Sequence, residues 1–343
     1  MKKIIALALA LLMLLPLCAC SEKKDETKTD EKAAVQGEKA ESVDNTTVRL
    51  KALTGPTGMG LATLIHNQKA GSGNKANYEI DLVTSPDQIT GPVIGNLCDI
   101  AAVPINLAAI LYQKSGGKIQ ILCANTLGVL YMVENGNSIK SVSDLKGKTI
   151  YAPNPGSTPE YILRYVLKEN GIDPDKDVKL EFLAGGDEVA AKLATTKGAI
   201  GMLPEPKKSA FLDKNTSFRV CLDMTEEWNK VAGSGNTLIQ GVFIARKEFI
   251  EQHPQVIKNF LDDYNASQKN VNTSLTAGAK HVVEAKILPS EILAKKAIPG
   301  CNITFIEGKE MKAAVEKCLQ VLFDADTKSV GGKLPSEDIY YAR

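Results

Sequence analysis

The residues best suited to chemistry in this chain are hydroxyls, amides and one carboxylate, set in short turns that each follow a run of strand-forming residues. The most informative turn is PNPGSTPE at 153–160. Ser157 and Thr158 stand together behind a glycine, Pro159 falls in the first turn of a helical pattern, and Glu160 follows Ser157 at capping-box spacing. A cap uses one hydroxyl. A second beside a glycine suits an oxygen-rich or anionic group, because a helix N-terminus offers unpaired N–H groups and a positive dipole end. In the TGPTGMG loop at 54–60, Gly55, Thr57 and Gly58 would let backbone approach a ligand, with a plain tight turn as the other reading. The loop has neither the Lys-Ser/Thr pair of a phosphate loop nor GxGxxG spacing. In VPINLA at 103–108, Asn106 either caps a helix or touches a ligand. In Leu203-Pro204-Glu205-Pro206, two prolines fix a carboxylate at a strand end. Glu205 there either takes an amine or ring N–H, or is an exposed acid at a helix start. Ser85 and Asp87 read as capping residues.

Catalytic constellations are scarce. His66 lies mid-helix, His253 precedes Pro254 and His281 belongs to an amphipathic pattern, so each reads as packing, capping or exposed. No HExxH, GxSxG or paired-carboxylate arrangement occurs. Three histidines and seven dispersed cysteines, without a Cys-x-x-Cys, leave little material for a metal site; neither a metal nor a cofactor is expected. Asp187 reads as a helix N-cap and Lys207-Lys208 as a solvated helix surface. Cys98, Cys123 and Cys221 read as small buried hydrophobes, while a Cys301–Cys318 disulfide stays open. With 343 residues and 44% hydrophobic content, the chain is too large for a small disulfide scaffold and has room for two domains. Forty-one Lys and Arg against 40 Asp and Glu give no electrostatic case for nucleic acid. A single Trp228 and 5% aromatics argue against a base-stacking platform.

These turns need elements to hold them. From residue 48, β-rich runs alternate with helical patterns, the signature of parallel α/β units. Strands are expected at 48–53, 78–84, 99–103 and 119–124, with helices at 59–68, 87–94 and 106–114 between them. The apolar run 127–134 leaves that series. A second series has strands at 149–151, 178–183, 199–203 and 218–223, with helices at 157–170, 187–196 and 207–212. A strand at 237–246 returns, and almost everything after it is helix or loop, with helices at 254–272, 277–287, 291–298 and 309–323. A chain that departs near 128 and returns near 240 makes two α/β lobes with two crossovers: 46–127 plus 241–343, and 128–240. Such lobes hinge around a cleft, and ligands of open α/β sheets sit beyond the carboxyl ends of strands.

Ahead of the lobes, two lysines, an apolar run at 4–17 and Leu17-Cys18-Ala19-Cys20 read as a secretory signal, too short for a comfortable membrane span. The end of this run resembles the bacterial lipobox, which implies removal of 1–19 and diacylation of Cys20. Two acyl chains anchor a protein stably. Residues 21–45 carry five Lys, eight Asp or Glu and no aromatic residue, so 20–45 reads as a lipidated cysteine with a disordered tether.

Taken together, the TGPTGMG loop, CDIAAVPINLAAILYQK, SIKSVSDLKGKTIYAPNPGSTPEYILRYVLKENGID, GAIGMLPEP and GVFIARKEFIEQHPQVIKNFLDDY resemble the substrate-binding proteins of ABC importers of the nitrate, sulfonate and thiamine-precursor group. The likeness runs over about 48–272. It implies two lobes of the type II periplasmic-binding-protein topology, a small polar organic ligand such as a sulfonate or pyrimidine between them, and delivery to a permease with a cytoplasmic ATPase. A monomer tethered to the outer face of the membrane and without enzymatic activity is expected. Carried over position by position, Gly55, Thr57, Gly58, Asn106, Ser157, Thr158 and Glu205 match cleft-lining places, and Gln240 and Gly241 match the return crossover. The chain departs from the family in having Gly-Pro-Thr-Gly where many relatives carry an aromatic or charged group, and no arginine in any expected cleft loop. Two other classes remain open: a dehydratase-like enzyme on the same fold with Glu205 as acid or base, and a sensor that signals to a membrane kinase.

Overall fold

The computed structural model describes residues 44–343. The expected signal segment, Cys20 and all but the end of the tether lie outside the described residues. Alternation of apolar and polar residues makes β1 (Thr47–Leu53) a strand that buries Val48, Leu50 and Ala52 on one face. There follow α1 (Pro56–Met59), α2 (Ala62–Ala70), β2 (Asn77–Val83), α3 (Asp87–Ile94), β3 (Ile100–Pro104), α4 (Ile105–Lys114) and β4 (Ile119–Leu127). The chain then builds β5 (Leu130–Asn135), β6 (Thr149–Pro153), α5 (Thr158–Glu169), β7 (Lys179–Leu183), α6 (Gly186–Thr195), β8 (Ile200–Pro204), α7 (Lys207–Lys214), β9 (Phe218–Asp223) and α8 (Met224–Ala232). It returns through β10 (Ile239–Arg246), α9 (Lys247–Gln252), α10 (Pro254–Thr273), α11 (Leu275–Glu284), α12 (Glu291–Ala297), β11 (Ile303–Ile306) and α13 (Gly308–Ala325). No helix among the described residues is long and apolar enough to cross a membrane.

The strands form two sheets of matching plan. The first runs β2-β1-β3-β10-β4-β11 and the second β7-β6-β8-β5-β9. In each, three parallel strands are followed by an antiparallel one that the chain enters on crossing from the other sheet: β10 in the first, β5 in the second. The result is a two-lobed α/β fold. The largest apolar cluster draws residues from both sheets, and α13 contributes Met311, Val315, Cys318, Leu319 and Leu322 to it. The thiol of Cys318 accepts from Ile239 N at 3.3 Å, seating α13 beside the return crossing.

Three local outcomes differ from the sequence pattern. The helix expected at 59–68 is broken into α1 and α2, because the Ser267 hydroxyl donates to Gly60 O at 2.6 Å and accepts from Leu64 N at 2.9 Å. It thereby occupies the place of an i→i+4 helical bond, and inserted side chains of this kind kink helices. β11, in a region read as helix or loop, pairs along β4. α8, for which no element was expected, starts where Asp223 accepts from Thr225 N at 2.8 Å as a side-chain cap. Cys301 and Cys318 are both free thiols.

Candidate functional site

The strand registers place the two sets of turns opposite one another. Gly241 of β10 pairs with Pro104, the last residue of β3, and Leu130 of β5 pairs with Pro204, the last residue of β8. The two crossing segments lie side by side there, joined by Gly128 N donating to Leu238 O at 2.9 Å. The carboxyl ends of the parallel strands in both sheets therefore converge on the crossings, which is where an open α/β sheet presents its ligand site.

One rim is built from the starts of α1, α3 and α4. Thr54 N, at the end of β1, donates to Val83 O of β2 at 2.8 Å, and Gly55 then turns with φ 104°, a value that favours glycine, into the proline-started α1. Thr57 is half-buried and its carbonyl accepts from Asn125 Nδ2 at 3.4 Å. Gly58 is buried beneath the Leu53 carbonyl. Gly241 sits between Asn125 and Thr57: a Cβ there would lie 2.6 Å from Asn125 Oδ1. Asn106 is half-exposed at the second position of α4. It is not the N-cap, because burial of Ile105 draws the helix back so that it starts after Pro104.

The opposing rim repeats this construction. Asn154 N donates to Leu183 O at 2.8 Å, as Thr54 N does to Val83 O. Asn154 itself adopts φ 57°, a left-handed conformation that Asn tolerates better than most residues. Ser157 is the N-cap of α5, but the capping box is not formed. Its hydroxyl donates back to Asn154 O, and Glu160 accepts from Gly156 N at 2.8 Å instead of from Ser157 N. The left-handed turn at Asn154 brings that carbonyl within reach of the hydroxyl. Thr158 is buried at the start of the same helix. α6 starts at Gly186 with Gly185 as N-cap, two residues before the expected cap at Asp187. Asp187 is left to pair with Lys207 Nζ at 2.7 Å.

Glu205 is neither an exposed acid nor a free one. Its side chain is fully buried, Lys208 Nζ lies 2.6 Å away, and the Ser209 hydroxyl donates to Oε1 at 2.8 Å. Lys208 is 13% exposed, which corrects its reading as a solvated surface residue, and its ammonium sits 4.3 Å from the centre of the Tyr131 ring. This group presses on the 3-10 turn Ile298–Cys301: the Tyr131 hydroxyl donates to Gly300 O at 2.8 Å, and a Cβ at Gly300 would lie 2.5 Å from Glu205 Oε1. Gln240, on the return crossing, has a buried Oε1 that accepts no hydrogen bond from any described residue. An acceptor left bare in this way is costly unless something else donates to it.

The structure thus brings Thr57 and Gln240 to the neighbourhood of the crossings, puts Ser157 and Thr158 at one helix start, and encloses Glu205 in an internal pair. Sequence reasoning missed Asn125 and Thr126, both fully buried, with the Thr126 hydroxyl donating to Asn125 Oδ1 at 3.0 Å. Their signal was two polar residues inside the otherwise apolar ILCANTLGVLYMV run. It also missed Asn302, whose Nδ2 donates to Gly128 O at 2.6 Å and ties the outgoing crossing to the start of β11. Among the described residues the cysteines offer no nucleophile. Burial pushes Cys98 up to about 11 and Cys221 and Cys318 up to about 12, and raises Cys123 and Cys301 well above the ordinary thiol range.

Residues 90–287, more than half of the chain, match a family described as ABC transporter, phosphonate, periplasmic substrate-binding protein. Proteins provisionally named binding proteins from Brucella abortus, Brucella suis and Brucella melitensis are 23% identical over 201 residues, or 52% of this chain and 54% of theirs. The chain thus spans about half the length of the curated relatives it matches. Among solved structures, an ABC transporter from Parabacteroides distasonis aligns with a TM-score of 0.73 at 24% identity, over 88% of this chain and 100% of that one. The periplasmic aliphatic sulphonate binding protein SsuA from Escherichia coli aligns with a TM-score of 0.64 at 14% identity, over 84% and 92%. DszB, in complex with biphenyl-2-sulfinic acid, aligns with a TM-score of 0.60 at 14% identity, over 86% and 96%. At these identities the likeness is one of fold.

Proposed function

The chain belongs to the ABC-transporter phosphonate periplasmic substrate-binding protein family, and on that footing we propose that it is the solute receptor of an importer. It captures a small organic molecule between two lobes, 46–127 plus 241–343 and 128–240, and delivers it as a monomer to a permease with a cytoplasmic ATPase. Acylation of Cys20 after removal of 1–19 holds it at the outer face of the membrane. The observation that carries this reading is the convergence of both sets of strand ends on two adjacent crossings, with the bare acceptor of Gln240 on the return crossing. The helix starts at Pro56, Ile105, Thr158 and Gly186 supply N–H groups rather than arginine, which suits a single anionic head such as a sulfonate or phosphonate oxyanion. Gln240 takes a donor from the body of the ligand, and Thr57 and Thr158 flank it. The enzyme reading is weaker. Glu205, its acid or base, already has both oxygens engaged by Lys208 and Ser209.

The test is a thermal-shift and native mass-spectrometry screen of the purified chain against alkanesulfonates, alkylphosphonates and pyrimidines. A ligand at a hundredfold excess over Kd should stabilise the protein by about 2.7 kcal/mol. Gln240→Leu should then weaken binding by about 1–3 kcal/mol. Turnover of a candidate, or no binder across the panel, would overturn the proposal.

A further inference from the structure

The fold brings together two of the three histidines that lie far apart in the sequence. His66 on α2 and His281 on α11 have ring centroids 4.0 Å apart and planes inclined by 18°. Glu284, three residues after His281 and so on the same helix face, pairs with His66 Nδ1 at 2.8 Å. One ligand-capable atom from each of the three lies within 4.8 Å of the others. Among the described residues, no other set of three or more His, Cys, Asp or Glu side chains converges in this way.

The surroundings orient the donors. Thr63 commits its hydroxyl proton to Asn270 Oδ1 at 3.0 Å, so its oxygen accepts from His281 Nδ1 at 3.0 Å. His281 therefore carries its proton on Nδ1 and keeps a lone pair on Nε2. A hydrogen bond on the far nitrogen is how proteins hold metal-ligating imidazoles. His66 and Glu284 are 39% exposed, so an ion has a path in and water has room to complete its coordination.

We propose that His66, His281 and Glu284 bind one divalent transition-metal ion of the zinc, nickel or copper class, cross-linking α2 to α11. Two imidazoles and a carboxylate without thiolate suit that class. With metal–ligand bonds of about 2.0–2.1 Å, tetrahedral ligand atoms stand about 3.3 Å apart, so a small side-chain movement opens the His66–Glu284 contact to admit an ion. The site lies wholly on the first lobe and does not depend on the ligand reading.

The experiment titrates zinc chloride into the purified chain and follows its melting temperature, with cobalt chloride as a spectroscopic probe. Zinc should raise the melting temperature by several degrees, reversibly with a chelator, and cobalt should give visible ligand-field bands. His281→Ala and His66→Ala should abolish both responses while melting normally without metal, and His253→Ala should keep them. Glu284→Gln, at an exposed position, should weaken zinc binding at least tenfold and gives an independent readout if a histidine variant does not fold. The proposal fails if the unaltered chain shows neither response, or if His281→Ala retains them.

Discussion

At the residue scale, one buried ion pair packs against the turn at Ile298–Cys301. Glu205 is enclosed with Lys208 and Ser209 beneath Tyr131 and against Gly300. Removing one partner of a buried pair leaves the other charge without compensation, at a cost of about 3–5 kcal/mol, whereas replacing both with neutral groups is far better tolerated. Lys208→Met should therefore lower stability by about 3 kcal/mol or more in urea unfolding. Adding Glu205→Gln should restore much of the loss. A neutral Lys208→Met would show that Glu205 is not dependent on that ammonium. The sequence located Glu205 at the end of a strand but not its burial, because the turn that covers it, at Gly300, lies nearly a hundred residues away.

At the scale of elements, the break between α1 and α2 sets where the first rim ends. Ser267, from α10, stands in for one rung of the helical ladder between Gly60 and Leu64. Ser267→Ala leaves a buried N–H and a buried carbonyl without their partner, a penalty of about 1–3 kcal/mol. It should show as a lower urea midpoint and faster exchange of the Leu64 amide. Unchanged exchange would mean that α1 and α2 close into one helix when the hydroxyl is gone. A helical pattern that continues through Gly60 has no local reason to break, so periodicity alone read one helix at 59–68.

At the scale of the whole molecule, carboxylates hold distant strands together and make stability depend on pH. Burial pushes the Asp99 carboxyl up, but hydrogen bonds from Arg49 and Arg246 outweigh it and hold the group below the usual carboxylate range. Glu134 is likewise lowered, by Ser138, the Ile139 amide and Arg219, against its burial. A carboxyl with a folded pKa below its unfolded value binds fewer protons when folded, so its contribution is present above about pH 4 and is lost as pH falls further. Unfolding midpoints measured from pH 7 to pH 3 should drop steeply below about pH 4. Asp99→Asn should flatten part of that drop. A slope unchanged in the variant would exclude Asp99 as a source.

The sequence by itself determined the order of most strands and helices, the two crossings near 128 and 240, and the turns at the strand ends. Those features follow from local periodicity, capping residues and proline and glycine placement, which act over a few residues. Only the tertiary structure decided what those turns touch. The pairing of His66 with His281, the insertion of Ser267 between Gly60 and Leu64, the edge strand β11 and the enclosure of Glu205 each join segments far apart in the chain. Their partners are chosen by how the two sheets and their covering helices pack, and no local pattern in the sequence encodes that choice.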